Sequence, residues 1–304
     1  MKFNRFTTTV SAIIILISFM QIISARSVSE VSVGVYVLNL GKFDVGTGAF
    51  TVDLYLSLKC NSTCPSSDFE FMNGRAASID KIIDEEDEKF YRIQANLNSP
   101  VNLRSFPFDN QEMQMIIEDK KITRDSLIYV PNIEESGVDE SISFTGWQLG
   151  QWTAEEKTHD YPVYDEEYSQ YIFTIPIYRI ALNSFIKTFL PVFFIVLVML
   201  ASFFMDVDKI TTRLGMAGYD LVASVMFHIS IANKIPPVGY LTFADKFMVT
   251  TYFIILLSFA MNVIMLELVE QKKIELAEKI HRYTEYSMFF IVAVIYVLLF
   301  IFAL

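Results

Sequence analysis

The stretch FLPVFFIVLVMLASFFM, residues 189–205, contains no charged side chain. An uncharged apolar run of this kind is the mark of a helix crossing a hydrocarbon core of about 30 Å, which takes about 20 helical residues. Two more such runs follow at 247–266 and 288–304. A fourth stretch, 214–232, carries Asp220 and His228 and is less hydropathic, but the connectors on either side, 206–211 and 233–245, leave no room for a domain. The reading is four membrane helices, at about 182–205, 210–232, 246–268 and 284–304. Composition agrees: 53% of the 304 residues are hydrophobic, 27 are Phe, and the mean hydropathy is +0.38.

Working outward, the N-terminus has Lys2 and Arg5, an apolar stretch from Val10 to Ile23, and then Ser-Ala-Arg. That pattern fits a cleaved secretory signal over residues 1–25, with an uncleaved fifth helix as the alternative. Cleavage near Ala25 places residues 26–180 outside the cytoplasm, and four spans return the C-terminus to the same side. The expectation is a multi-pass cell-membrane protein with both termini extracellular or periplasmic. Lys272, Lys273, Lys279, His281 and Arg282, diluted by Glu270, Glu275 and Glu278, place the linker between the third and fourth spans in the cytoplasm.

The exported half is a different material. VSVGVYVLNL (31–40), GAFTVDLYLSL (48–58), KFYRIQANL (89–97), EMQMIIED (112–119), GWQLGQWTAEE (146–156) and QYIFTIPIYRI (170–180) alternate or favour β-branched and aromatic residues. Their spacing predicts a β-sandwich of immunoglobulin-like kind over residues 26–180, followed by the helical bundle at 181–304. Cys60 and Cys64, in the turn-rich KCNSTCPSS, are a local disulfide of an exported domain or two free thiols; both readings stand. Asn61-Ser62-Thr63 matches a glycosylation acceptor. Acidic residues gather in IIDEEDEKF (82–90) and PVYDEEYSQY (162–171), and the net charge of −11 argues against a nucleic-acid partner. The residues have no nucleophile, metal or phosphate-loop spacing, so the chain is not read as an enzyme.

One segment, SFPFDNQEM at 105–113, joins two predicted strands with an aromatic-Pro-aromatic-Asp motif and Gln111. Gly146-Trp147, a lone Arg179 just before the first span, and Pro191 within that span follow in order. The ordered set resembles the pentameric ligand-gated ion channels, in particular their short prokaryotic members, over about residues 31–304. The chain lacks a cysteine pair flanking this loop, with Met113 where the second would fall, and its last linker is too short for a large intracellular domain. Both departures are shared by the prokaryotic form. The resemblance implies that the loop is a foot resting on the helical bundle, with Phe106 and Phe108 packed at the membrane surface and Pro107 fixing the turn. It also implies that Asp109 pairs with Arg179, through bidentate hydrogen bonds if the geometry allows. Pro236 and Tyr240, in the outer connector between the second and third spans, would receive the foot's movement.

The resemblance further implies a homopentamer with the second span around a pore. Aligning Pro236 with the family's outer-turn proline puts Arg213 at the basic position of the inner end and aims Gly215, Tyr219, Val222, Met226, Ile229 and Asn233 at the axis. A polarity argument alone selects another face, Asp220, Ser224 and His228, at i, i+4 and i+8. The family register is preferred, with stacked apolar rings at Val222, Met226 and Ile229 as the gate. Thr211-Thr212 carry neither the family's cation signature nor its anion signature. Asp206 and Asp208 and the acidic outer domain favour cations.

The family's agonist pocket lies between subunits under a hairpin, which falls at HDYPVYDEEYSQY (159–171). Tyr161, Tyr164 and Tyr168 are therefore candidates on one subunit, facing Tyr55 and Gln94 of the next, and suit an amine by cation-π contact. Glu118 and Asp119, with Asp165, Glu166 and Glu167, are candidate oxygen ligands for a modulating divalent cation such as calcium; no other cofactor is expected. Proton sensing is a third option, through carboxylates or through His159, His228 and His281, the three histidines of the chain. The agonist is thus a small molecule or an ion, and the membrane lipid is a further partner. The competing class is a membrane-anchored β-sandwich binding or adhesion protein that passes no ions.

Overall fold

A computed structural model describes residues 28–65 and 68–303 of the chain. The signal peptide expected over 1–25 lies outside these residues. Eleven strands come first: β1 (Ser29–Leu40), β2 (Ala49–Cys60), β3 (Phe69–Phe71), β4 (Gly74–Asp84), β5 (Glu88–Asn98), β6 (Asn110–Asp119), β7 (Leu127–Pro131), β8 (Gly137–Val138), β9 (Trp147–Leu149), β10 (Thr153–Tyr161) and β11 (Glu166–Arg179). Four helices follow: α1 (Ala181–Ser202), α2 (Ile210–Ala232), α3 (Phe243–Glu270) and α4 (Ile274–Ala303), with a 3-10 turn at Val207–Lys209 before α2.

The strands form two sheets among the described residues. One has the order β4-β5-β2-β1-β7 with β8 also on β1; the other runs β10-β11-β6-β3 with β9 also on β11. Period-2 alternation decides what lies between them. Val31, Val33, Val35 and Val37 of β1 and Leu54 and Leu56 of β2 point inward from one sheet. Met113, Met115, Ile117, Phe173, Ile175 and Ile177 meet them from the other, all essentially without solvent contact. This core makes the first half a β-sandwich, and the Cys60–Cys64 disulfide is formed at the end of β2.

The segment 146–156, expected as one strand, is split into β9 and β10. Both pair with β11 along the same edge, but the break falls beside Pro176, which has no N–H for the ladder and instead accepts from Gly150 N at 2.7 Å. β4 escapes the strand reading altogether. It is an edge strand pairing with β5, its sequence GRAASIDKIID has little alternation, and most of it is exposed.

All four helices are long and apolar enough to span a membrane, which makes this a multi-pass membrane protein. Three boundaries differ from the expected spans by three residues or more, the first being the start of α3, which Thr242 caps so that it begins at Phe243 rather than 246. Helix α1 ends at Ser202, where Phe203 to Met205 close it with 3-10-type bonds. Helix α4 begins at Ile274, not near 284, because its amphipathic first turns continue the helix below the apolar run and bury Ala277. A second core, separate from that of the sandwich, gathers Phe189, Val192, Met199, Phe203, Phe243 and Phe247. Leu103 and Phe106, which belong to the loop between β5 and β6, lie inside this helical core. The sandwich and the bundle therefore share packing through this loop, with Val45 of the β1–β2 loop also against the helical core.

Candidate functional site

That loop is the SFPFDNQEM segment. Its turn is tied by Phe106 N to Leu103 O at 3.0 Å and Phe108 N to Ser105 O at 2.8 Å, across a cis Phe106–Pro107 peptide. Phe106 and Pro107 are buried, and Phe108 stacks on Phe189 of α1 and leans on Phe243 of α3, at 5.8 and 6.0 Å between centroids. The loop also supplies backbone acceptors. Arg104 O accepts from Phe243 N at 2.8 Å and Phe106 O from Ala244 N at 3.0 Å. The first N–H groups of a helix have no partner inside it, so two of those of α3 are satisfied by the sandwich domain. Tyr240 joins from the connector: its hydroxyl accepts from Leu103 N at 2.9 Å, and Arg104 lies over its ring at 5.1 Å. Pro236 is half-buried in the same connector.

Behind the foot, Asp109 is 1% exposed and accepts from Arg179 Nε at 2.6 Å on Oδ1 and from Gln111 Nε2 at 2.7 Å on Oδ2. The pairing is through one bond rather than the bidentate fork expected, because Gln111 occupies the second oxygen. Gln111 is held in turn by both backbone groups of Asn102, donating to its O at 2.8 Å and accepting from its N at 3.0 Å. The Arg179 guanidinium lies over the Trp147 ring at 4.3 Å and the Phe106 ring at 5.2 Å. Two aromatic faces and a carboxylate hold one cation where the last strand becomes the first helix.

On α2 two faces separate clearly. Asp220 is 7% and Ser224 0% exposed, and both turn into the chain's own bundle. Arg213 is fully buried too, over the Phe203 ring at 4.7 Å and with Nη1 3.3 Å from His281 Nδ1. His228, next on the polar stripe, contacts α3: its Nε2 is 3.1 Å from Asp245 Oδ1 and its Nδ1 2.8 Å from Tyr252 OH. Tyr219, Val222, Met226 and Ile229 are 79%, 60%, 68% and 56% exposed on the single chain, and Gly215 and Asn233 are exposed with them.

The hairpin β10–β11 carries the third set. Tyr161 and Tyr168 meet edge to face at 5.5 Å, while the ring of Tyr164, at the tip, is exposed and its N–H donates to Tyr161 O at 2.9 Å. Beneath them Glu118, 2% exposed, accepts from Tyr161 OH at 3.0 Å and from Gln170 Nε2 at 2.7 Å, with His159 Nδ1 at 2.9 Å. Burial, together with the bond to Glu118, pushes the Tyr161 hydroxyl up to about 12. Cross-strand register builds this cluster: Gln170 stands opposite Glu118, and His159 opposite Tyr168. Gln170 has no signal of its own in the sequence.

The acidic residues do not converge into a cation site. Glu118 is engaged as described, Asp119 accepts from Lys121 N and Ile122 N, Glu166 accepts from Tyr168 OH, and Asp165 and Glu167 are exposed near the hairpin tip. Among the described residues no group of three or more His, Cys, Asp or Glu is placed to hold a metal ion. Tyr55 and Gln94 lie on the outer face of the other sheet, where Tyr55 stacks on Phe90 at 5.2 Å, so within one chain they do not meet the hairpin tyrosines.

A two-sheet sandwich leads without a linker into four apolar helices and rests on them by a foot, an arrangement that fits the pentameric ligand-gated ion channels the sequence resembles. No protein-family model matches the chain. It is similar to the proton-gated ion channel of Gloeobacter violaceus (strain ATCC 29082 / PCC 7421), being 22% identical over 161 residues. That match covers 53% of this chain and 44% of that protein's length.

Proposed function

We propose that the chain is one subunit of a homopentameric ligand-gated ion channel, with a pore lined by α2 and gated from the exported sandwich. The observation that carries this reading is the foot: two carbonyls of the sandwich complete the first turn of a membrane helix, beside the Asp109–Arg179 pair. A domain that merely adheres outside the membrane has no need of such a joint, whereas a receptor whose outer half must move its inner half does. Gly215, Tyr219, Val222, Met226, Ile229 and Asn233 face the axis, and the apolar rings at Val222, Met226 and Ile229 close the pore by excluding water. The acidic exported domain and the net charge of −11 favour cations as the permeant species.

The agonist acts at the hairpin, where Tyr161 and Tyr168 cover Glu118 and face Tyr55 and Gln94 of a neighbouring copy. The similar channel is described as proton-gated, and the site suits a proton. His159 Nδ1 and Glu118 Oε2 stand 2.9 Å apart, Gln170 Nε2 lies within hydrogen-bond distance of both, at 2.8 and 2.7 Å, and Tyr161 OH donates to the other Glu118 oxygen at 3.0 Å. A ligand that binds one conformation better shifts the closed-open equilibrium toward it.

The test is current from the purified protein in planar bilayers as external pH is lowered, under sodium and chloride gradients. A proton-activated current reversing at the sodium potential is expected. Reversal at the chloride potential overturns the selectivity, and silence at every pH and ligand returns the chain to the anchored binding protein.

A further inference from the structure

We infer that His228 is a positioning residue, the latch through which movement of the foot reaches the second helix. The inference rests on the channel reading above and adds a route to it. Three links stand in series. Arg104 O and Phe106 O of the foot hold the first amides of α3. Within that same turn Asp245 closes a capping box with Thr242, its Oδ2 accepting from Thr242 N and Thr242 Oγ1 at 2.8 Å each, while Thr242 Oγ1 accepts from Asp245 N at 3.2 Å. The other oxygen, Oδ1, is 3.1 Å from His228 Nε2 on α2. One carboxylate thus fixes the start of α3 with one oxygen and grips α2 with the other.

The imidazole is suited to this task. With the proton on Nε2 it donates to Asp245 Oδ1, and its free Nδ1 accepts from Tyr252 OH at 2.8 Å, so both nitrogens are used by α3 in one tautomer. His228 comes one residue before Ile229, which faces away from the bundle. Rotation of α2 about the latch therefore carries Ile229 directly. The sequence places His228 on a polar stripe with Asp220 and Ser224, yet among these three His228 is the residue bonded to another helix by its side chain.

The experiment uses the whole assembled protein with Ile229→Cys as reporter, since Cys60 and Cys64 are bonded to each other. Its rate of thiol labelling is measured with and without a perturbed foot, Phe108→Ala, first with the latch intact and then with His228→Phe. The foot variant is expected to change the rate by about threefold or more with the latch intact, as residues in one bonded network couple, and to leave it unchanged in His228→Phe. Tyr252→Phe, which removes one hydroxyl, serves as the milder latch variant and should give an intermediate effect. An equal change in both backgrounds, or no change with the latch intact, overturns the inference. Conductance of the wild-type protein is recorded separately: a silent protein with latch-dependent labelling sinks the channel reading and keeps the latch, and a conducting one without it does the reverse.

Discussion

Arg179 donates from Nε to Asp109 Oδ1 across 2.6 Å while its guanidinium plane rests 4.3 Å from the centroid of Trp147. The contact joins the last residue of the last strand to the loop that enters the helical core, so its loss strikes both halves of the molecule.

Removing one partner of a buried ion pair leaves the other uncompensated, at a cost of about 3–5 kcal/mol. The lower end applies to Asp109→Ala, because the Arg179 side chain keeps 19% exposure. Asp109→Asn fails differently. Its amide nitrogen either faces Gln111 Nε2, donor against donor, or turns toward Arg179, and Gln111 cannot flip without breaking both bonds to Asn102. Both variants should lower the thermal midpoint and abolish agonist-evoked current. Normal current from Asp109→Asn would remove the pair from gating.

The raised Tyr161 hydroxyl makes a signed prediction. The folded protein holds the phenolic proton more tightly than the unfolded chain, whose tyrosine titrates near 10. The stability it contributes is complete below pH 10 and is lost as pH rises toward about 12. Comparing alkaline unfolding of the wild type with Tyr161→Phe isolates it. The wild type should lose stability faster across that window, and parallel curves would refute the assignment.

Accessibility along α2 separates the two faces. If α2 lines a pore as proposed, cysteines at 222 and 226 in the assembled protein should react with a polar thiol reagent delivered from the aqueous side, while Ser224→Cys, on the buried face, should be protected. The opposite order would give the pore to the polar stripe.

Gly48 is a test of the sandwich alone. It adopts φ +74°, and a β-carbon there would come within 1.9 Å of Ser99 O. Since alanine at a left-handed position is strained even in open space, Gly48→Ala should destabilise by more than about 1 kcal/mol in chemical unfolding. A silent substitution would mean the β1–β2 turn rearranges.

Much of this was legible in the chain because its signals are local. Uncharged runs mark the helices, and strands with clean alternation mark β1, β2 and β5. The resemblance carried by the motif 105–113 led to Asp109 and Arg179 as a pair, whereas the bond from Gln111 and the packing of Trp147 and Phe106 on the guanidinium had no signal of their own. What was not legible depends on register between distant segments. Edge strand β4 has no buried face to impose a pattern, and the Glu118 cluster is assembled by pairing β6 with β11 and β11 with β10. The His228–Asp245 contact lies between two packed helices, although Thr242-x-x-Asp245 before an apolar run was a readable capping signal. The acidic residues expected to share a cation do not gather within one chain: Glu118, Asp119 and Glu166 accept hydrogen bonds from their neighbours, while Asp165 and Glu167 are exposed.

The carbonyls of Arg104 and Phe106 that finish the first turn of α3 also set a rule for chimeras. A sandwich grafted onto a foreign bundle must arrive with a loop whose backbone fits that bundle's open amides, and a bundle expressed by itself starts α3 with two bare donors. The seam between the halves is therefore not a place to cut.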